Sequence, residues 1–245
     1  VCDNYHNIFD TIDIRNSNDY LFKHSIMVAE FSIAIGIKLN LNQRELVNLA
    51  TSALLHDIGK LCINKELLDK LKLSDKELMY QEKLHPIYAY SLLSKVPEIT
   101  ATTKTAILFH HRNEDGTGFP ENIKVPDHIF YKILHVADTY DNLISSKNGM
   151  NPSDALEYLY ANSGTLFNVD VVNAFKSCIP IYPRGIEVKL SNGLDGVVID
   201  NTGDKSHPKI KVLIKGTNVV FDLRKNLDIT IKYVKTNHED IEKRY

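Results

Sequence analysis

The apolar residues of this chain change their spacing once, near residue 179, and this change sets the fold class. From Tyr20 to about Cys178 they recur with the period of a helix that buries one face. From Ile186 onward they alternate with polar residues, which is the period of a strand with one buried face. We therefore predict a mainly α fold, a helical bundle, with a small C-terminal antiparallel β module.

The same change in spacing predicts how the chain is divided. Pro180 and Pro183 mark the junction, and Asn-Gly and Thr-Gly pairs separate the strands. The predicted segments are a polar N-terminal segment at 1–19, a helical domain at 20–178, a β domain at 180–235 and a polar tail at 236–245.

Two helix starts carry the pattern of a capping box. Asn42 and Ser74 each stand three positions before a glutamate, so each pair can satisfy free amides at a helix start. Helices are therefore predicted to begin at residues 43 and 75. Further helices are predicted over 20–39, 100–110, 127–145, 153–161 and 170–177, and strands at 186–190, 197–200, 210–215, 219–223 and 227–234.

Charge and composition exclude several classes of protein. The net charge is −2 and no basic stripe is present, so long nucleic acid is not an expected partner. No run approaches the roughly 18 apolar residues of a membrane span. The three cysteines lie far apart, which argues against a disulfide framework and a thiolate zinc site. We predict a cytoplasmic protein.

The chain begins with Val1, so we expect a processed protein or a segment of a longer one. An upstream sensor domain and a homo-oligomer both stay open as partners.

Histidines and aspartates stand where metal ligands are expected. The His56–Asp57 pair ends an apolar run, and Asp138 lies within the apolar context ILHVAD, where a buried carboxylate is costly unless a cation compensates it. One such histidine alone would be interpreted as a packing residue. Nitrogen and oxygen ligands without cysteine favour iron, manganese or zinc over magnesium or calcium. The candidate ligands are His24, His56, Asp57, His85, His110, His111 and Asp138.

The order of these residues resembles the HD-GYP family of the HD phosphohydrolase superfamily. The matching motifs are His24, HDIGK at 56–60, HP at 85–86, HH at 110–111, DGTGFP at 115–120 and VAD at 136–138. The resemblance covers about residues 20–178. It implies an HD-type helical bundle with a di- or trinuclear metal centre that hydrolyses cyclic di-GMP.

Carried over by position, the resemblance implies two ions that share one ligand. His24, His56, Asp57 and Asp138 would hold the first ion, and Asp57, His85, His110 and His111 would surround the second. Two divalent transition metal ions are expected, iron or manganese first and zinc as an alternative. They would share a hydroxide that attacks phosphorus.

Two further elements of the site follow from the resemblance. Asp57 and Lys60 would act in catalysis, and Lys60 would also bind the phosphate. The alternative reading of Lys60 is a solvated lysine at a helix end. The glycines and proline after the paired histidines predict a turn, and their position indicates a loop that shapes the pocket edge. The residues assigned to this pocket loop are Asp115, Gly116, Gly118, Phe119 and Pro120.

The chain departs from the family pattern at four places. Arg112 replaces a glutamate, and Phe119 replaces the tyrosine of GYP. Lys147 is the one obvious basic residue left in a shortened phosphate-holding segment, so it is the predicted substrate contact there. Tyr20 stands where trinuclear members carry glutamate, and Asp19 lies too far around the helix to replace it. We therefore predict two ions and weakened substrate binding.

The predicted function is a metal-dependent phosphodiesterase that opens a cyclic dinucleotide, with cyclic di-GMP as the implied substrate. Hydrolysis of another nucleotide is a second reading. A binding module with structural metals, which holds a cyclic dinucleotide with little or no turnover, is a third.

Overall fold

Two capping boxes open helices where the sequence predicts them. In the computed structural model, the Asn42 side chain accepts a hydrogen bond from the amide of Glu45, whose carboxylate accepts one from the amide of Asn42. Ser74 and Glu77 form the same reciprocal pair. Both predicted helix starts are confirmed.

The structure describes residues 20–63, 74–145, 149–179, 182, 184–201 and 207–234, and for Tyr20 and Asp75 it describes the backbone alone. Lys147, the predicted polar segment 1–19 and the predicted tail 236–245 lie outside the described residues.

Helices form the first part of the described chain. A 3-10 helix spans Ile58–Cys62 between α2 and α3. The α-helices are α1 Tyr20–Lys38, α2 Gln43–Leu55, α3 Asp75–Lys83, α4 His85–Ser94, α5 Ala101–Phe109, α6 Ile129–Ser145, α7 Pro152–Ala161 and α8 Val169–Cys178.

Helix α4 was not predicted as a separate element. Leu84 forms a single turn between α3 and α4, and His85 is the first residue of the new helix. Pro86 is tolerated there because the amides of a first helical turn have no partner within the helix. Since the break precedes His85 directly, it fixes where this histidine points.

The strands form two antiparallel sheets. A short hairpin within the helical part pairs β1 His111–Arg112 with β2 Gly118–Phe119. The larger sheet has the order β6-β5-β4-β3-β7 and is antiparallel throughout. Its strands are β3 Glu187–Leu190, β4 Asp195–Asp200, β5 Lys209–Ile214, β6 Thr217–Asp222 and β7 Ile231–Val234.

The predicted fold class, mainly α with a small C-terminal antiparallel β module, is confirmed. Several predicted element starts differ from the structure, and the strands predicted from residues 197 and 219 begin at Asp195 and Thr217. The strand predicted from residue 227 begins at Ile231, because residues 227–228 form a turn. The helix predicted from residue 127 begins at Ile129.

The described residues divide into two compact units, one made of those within 20–141 and 162–175, the other of those within 142–161 and 176–234. In the first, the rings of Phe31, Tyr140 and Phe175 pack edge to face, with centroids 4.8–5.7 Å apart. In the second, alternate strand residues such as Val188, Val198 and Ile210 form a core. The predicted domain bounds stay a prediction.

Among the described helices, none combines the length and apolar character that a bilayer span requires.

Candidate metal centre

The candidate ligands stand at the ends of helices or face inward from them. His56 follows the last residue of α2, and Asp57 directly precedes the 3-10 helix. His110 follows α5 in the same way. A residue at the end of a helix can direct its side chain beyond that end, so side chains from several helices can point toward one centre. The other ligands are His24 on α1, His85 at the start of α4, His111 on β1 and Asp138 on α6.

All seven side chains meet in one place. Nε2 of His24 lies 3.0 Å from Oδ1 of Asp138 and 3.3 Å from Nε2 of His56. Nε2 of His85 lies 3.3 Å from Nε2 of His110, and likewise from that of His111. Within the described ranges, groups of ligand atoms close enough to hold an ion are His24, His56 and Asp138; His56, Asp57 and His110; and His85, His110 and His111.

Asp57 lies between the two ends of this cluster. Its Oδ2 is 3.5 Å from Nε2 of His56 and 3.7 Å from Nε2 of His24. Its Oδ1 is 3.2 Å from Nε2 of His85. One carboxylate oxygen therefore faces each group of histidines, which is the geometry that a bridging ligand needs.

The hydrogen bonds of Nδ1 show which nitrogen of each histidine is free to bind a metal. Nδ1 of His56, His85 and His110 lies 2.7 Å from a backbone carbonyl, that of Ala53, Glu82 and Ile107 respectively. A carbonyl only accepts, so each Nδ1 carries the proton. A neutral imidazole has a single N–H, and Nε2 is therefore the nitrogen with the open lone pair.

This arrangement fits a cation. The open lone pairs of His85 and His110 face each other at 3.3 Å, where neither nitrogen can donate to the other. Oδ1 of Asp57 is buried and accepts no hydrogen bond in the described part of the chain. Buried acceptors without donors are costly. A metal ion supplies what they lack, so the residues present fit the group that the sequence implies.

The electrostatics favour ionised Asp57 and Asp138 beside neutral His110 and His111. Burial opposes ionisation of Asp57 and Asp138, but neighbouring histidines, and Lys60 for Asp57, hold the pKa of each carboxyl below its usual range. Burial, with neighbouring histidines adding to it, lowers the pKa of His110 well below normal. Burial also lowers the pKa of His111, to about 4. These charge states are those of metal ligands.

His24 differs from the other histidines. Burial lowers its pKa, but hydrogen bonds to Asp138 and Asp141 outweigh burial and raise the pKa to about 10. Two carboxylates beside one histidine thus stabilise its protonated form in the absence of metal.

Among the described side chains of the cluster, those of Lys60 and His111 are the most exposed to solvent. The side chains of His24, His56, Asp57, His85 and Asp138 are at most 5% exposed. The side chain of His111 is 35% exposed and that of Lys60 is 37% exposed. Lys60 also lies on Asp57, with its Nζ 2.6 Å from Oδ2. A substrate would therefore approach beside Lys60 and His111.

The predicted pocket loop is an ordered turn that continues from His111. His111 pairs with Phe119 across the β1–β2 hairpin. Oδ1 of Asp115 accepts from the amide of Thr117 at 2.9 Å and from its hydroxyl at 2.6 Å. Gly118 has φ 87°, and a Cβ there would lie 2.3 Å from the carbonyl oxygen of His111. Only glycine lets the loop return this close to the ligand. Gly116, the other loop glycine, also has a positive φ, and the Phe119–Pro120 peptide is cis.

Arg112 stabilises this loop by hydrogen bonds to its backbone. Because neighbouring strand residues face opposite ways, Arg112 turns away from the cluster that His111 faces. Its Nη1 donates to the carbonyls of Gly118 and Pro120, both at 2.9 Å. Arg112, which replaces the glutamate usual in the HD-GYP family, therefore places a guanidinium group against the carbonyl groups of the loop.

Sequence reasoning missed Asp141. This residue is buried, and its Oδ2 lies 2.6 Å from Nδ1 of His24. Its position three residues after Asp138 was the available signal, since such spacing puts both carboxylates on one face of α6. His135 was interpreted as a packing residue beside the site, and its ring lies 4.9 Å from that of Phe167.

Comparisons with known proteins identify the family of this chain. A family model described as HD domain matches residues 12–171. A Pseudomonas aeruginosa protein named cyclic di-GMP phosphodiesterase PA4108 is 29% identical over 87% of this chain and 52% of its own length. A Borreliella burgdorferi protein named cyclic di-GMP phosphodiesterase PdeB is 25% identical over 93% of this chain and 60% of its own length.

Among the solved structures that resemble this chain is one with the same fold. It is Bd1817, an HDG"Y"P protein from Bdellovibrio bacteriovorus, with a TM-score of 0.59 and 22% identity over 72% of this chain and 58% of that one. The chain thus spans little more than half the length of these relatives.

Proposed function

The chain belongs to the HD domain family, and on that premise we propose that it is a metal-dependent phosphodiesterase that opens a cyclic dinucleotide, with cyclic di-GMP as the first candidate. The resemblance predicted from the order of the motifs is confirmed. Two relatives carry the name cyclic di-GMP phosphodiesterase, which supports the substrate class.

A single observation carries the metal dependence. Histidine lone pairs and the unpartnered Oδ1 of Asp57 converge on one buried place, where hydrogen bonding leaves them unsatisfied. His24, His56 and Asp138 would hold one ion, His85, His110 and His111 the other, and Asp57 would bridge them. Iron or manganese is proposed first, with zinc as the alternative. Two such ions, when bound, polarise a water molecule and offset charge on the phosphate.

The chain's own residues prepare this site for a phosphodiester. Nζ of Lys60 donates to Oδ2 of Asp57 at 2.6 Å, and because its side chain is 37% exposed it can also donate to a phosphate oxygen. In hydrolysis, an oxygen from water joins phosphorus, the bond from phosphorus to one sugar oxygen breaks, and that oxygen leaves with a proton. Lys60 is placed to offset the negative charge that grows during this step.

The pocket loop is proposed to hold His111 and to border the substrate. Its support is the pairing of His111 with Phe119 and the two bonds from Arg112. Lys147 remains a proposed phosphate contact that lies outside the described residues. Because it would contact substrate and transition state alike, Lys147→Ala is expected to raise KM and spare kcat.

The test is a product assay with defined metal content. The protein is loaded anaerobically with Fe²⁺, and separately with Mn²⁺, and metal per chain is measured. Each sample is then incubated with cyclic di-GMP, cyclic GMP-AMP or cyclic di-AMP over a wide concentration range, and products are separated by chromatography. Asp138→Asn removes a proposed ligand, and Asp127→Asn, on an exposed side chain, is the matched control.

We expect a linear dinucleotide from the loaded protein and from Asp127→Asn, and no product from Asp138→Asn. Turnover of another cyclic dinucleotide alone would change the substrate and keep the chemistry. Tight binding of intact cyclic di-GMP by fully loaded protein, with no product at any concentration, would show that the protein is a receptor for this nucleotide and not an enzyme.

A further inference from the structure

We propose that the two ion sites are unequal and that Asp141 is the positioning residue that makes them so. The site of His24, His56 and Asp138, here called the inner site, would retain its ion more tightly than the outer site of His85, His110 and His111. This inference rests on the metal centre of the proposed function and goes beyond it.

The first argument is the contact of Asp141 itself. Its Oδ2 lies 2.6 Å from Nδ1 of His24, and the residue is 4% exposed. A buried carboxylate that accepts from a ligand histidine fixes the ring's orientation and strengthens the opposite nitrogen as a ligand. Here that opposite nitrogen is Nε2, which faces Asp138 at 3.0 Å.

Two of the outer histidines, His85 and His110, lack this support. Nδ1 of His85 and of His110 donates to a neutral backbone carbonyl at 2.7 Å. Hydrogen bonds to a charged acceptor are roughly twice as strong as bonds between neutral groups. The charged acceptor therefore distinguishes His24 from His85 and His110, while all three rings are held in place.

The second argument is charge. His24 has a carboxylate on each ring nitrogen, Asp138 on one side and Asp141 on the other. His85 has Asp57 near Nε2 and a neutral carbonyl at Nδ1. Asp57 is shared by both sites, so it does not favour either. The additional negative charge near the inner site favours a cation there.

The third argument is access. The inner ligands have side chains at most 5% exposed, whereas the side chain of His111 in the outer site is 35% exposed. A chelator in solution therefore reaches the outer ion first, and low dielectric strengthens the inner interactions.

The experiment removes Mn²⁺ stepwise from the loaded protein. Samples are equilibrated with increasing chelator, and the metal per chain is measured by elemental analysis after desalting. His24→Ala and His85→Ala show which step belongs to which site. Asp141→Asn keeps the shape of the side chain and removes its charge, and Asp127→Asn is the same change on an exposed side chain.

We expect two separate release steps in the wild type, the second of which is absent in His24→Ala and present in His85→Ala. Asp141→Asn should move that second step to a chelator concentration about 10- to 100-fold lower. Asp127→Asn should leave both steps unchanged. A visible spectrum of Co²⁺-loaded protein supplies an independent readout, because Asp141→Asn should change the band from the first equivalent bound and not that from the second.

Several outcomes would overturn the proposal. Release of both ions by the wild type in a single step would do so, whatever the variants show, so the test survives a variant that fails to fold. Identical release curves for Asp141→Asn and wild type would remove the role of Asp141. Because release is read without substrate, a protein that holds two unequal ions and cleaves nothing keeps this inference and loses the proposed function. A protein that cleaves substrate with two equal ions does the reverse.

Discussion

A Cβ atom on residue 59 would lie 2.0 Å from the carbonyl oxygen of His85. It would also lie 2.6 Å from the amide nitrogen of Ala89. Both atoms belong to the backbone of α4, so no side-chain rotation can relieve the contact. Glycine at position 59 thus allows the 3-10 helix that follows Asp57 to approach the helix that begins with His85, and this approach brings ligands of both sites together.

The first prediction is that Gly59→Ala lowers both stability and metal content. Since the added methyl meets backbone, α4 must move, at a cost of about 1–3 kcal/mol in the free energy of unfolding. Denaturant titration measures this cost, and elemental analysis measures the metal. Gly193→Ala is the control, since a Cβ there meets nothing within 4 Å at φ 83°. It should cost stability through backbone strain and leave the metal unchanged. Equal metal content in both variants would contradict the role of Gly59.

The second prediction concerns the proposed bridge. Because one oxygen of Asp57 faces each group of histidines, Asp57→Ala should lose most of both ions, whereas a ligand of one site should cost mainly one ion. Metal per chain is measured for Asp57→Ala, His85→Ala and the wild type after the same loading. Full occupancy in Asp57→Ala would show that the carboxylate does not bridge.

The third prediction is that Lys60→Gln slows turnover and spares the metal. Nζ of Lys60 contacts Asp57, and a charged ammonium group has no lone pair to offer a metal, so its loss should leave both ions bound. A donor that acts on the developing charge of a transition state is worth roughly 100-fold in kcat. Steady-state kinetics at measured metal content separate the two effects, with exposed Lys95→Gln as the control. A rise in KM at unchanged kcat would make Lys60 a binding residue instead.

The fourth prediction is that Arg112→Glu, which restores the residue usual in the HD-GYP family, is harmful here. A carboxylate cannot donate to the carbonyls of Gly118 and Pro120, which Arg112 now contacts at 2.9 Å. Loss of bonds to a charged donor costs about 1.5–3 kcal/mol, and repulsion from the carbonyls adds to this. Arg112→Gln can still donate, so it should be less damaging. Melting temperature and limited proteolysis of the loop compare the two. If Arg112→Glu proved more stable than Arg112→Gln, the hydrogen bonds of Arg112 would not be what stabilises the loop.

The sequence was sufficient for the parts of this molecule that depend on local chemistry. The capping boxes at Asn42 and Ser74 placed two helix starts, because that motif acts within four residues. The start of α4 at His85 was missed, since it depends on a single-residue turn that has no strong signature.

The candidate site shows the same division. Ligand identities followed from motif order, but the role of Asp141 requires knowing that α1 and α6 bring it to His24, 117 residues away in the chain. The stabilisation of the loop by Arg112 was likewise hidden, because the sequence shows its charge and not the carbonyls it meets. Tertiary contacts of this kind leave no periodic trace in a single sequence.

The last prediction is a pH-dependent gain in stability from Glu30→Gln. Glu30 is half-buried on α1, and burial raises the pKa of its carboxyl to about 7. A raised folded-state pKa favours folding while the group is protonated, and that contribution is lost as pH rises from the unfolded value toward 7. Above pH 7 the wild type therefore carries a half-buried charge, which glutamine avoids.

The melting temperature of Glu30→Gln minus that of the wild type should accordingly be near zero at pH 5 and positive at pH 8. With partial solvent screening the gain is expected to be about 1 kcal/mol, which is about 2–4 °C in a chain of this size. Metal binding also changes with pH, but both proteins share that change, so the difference between them isolates Glu30. Glu98→Gln, on an exposed side chain, is the matched control and should show no pH-dependent difference. A difference that stays constant from pH 5 to pH 8 would mean that burial does not shift the ionisation of Glu30.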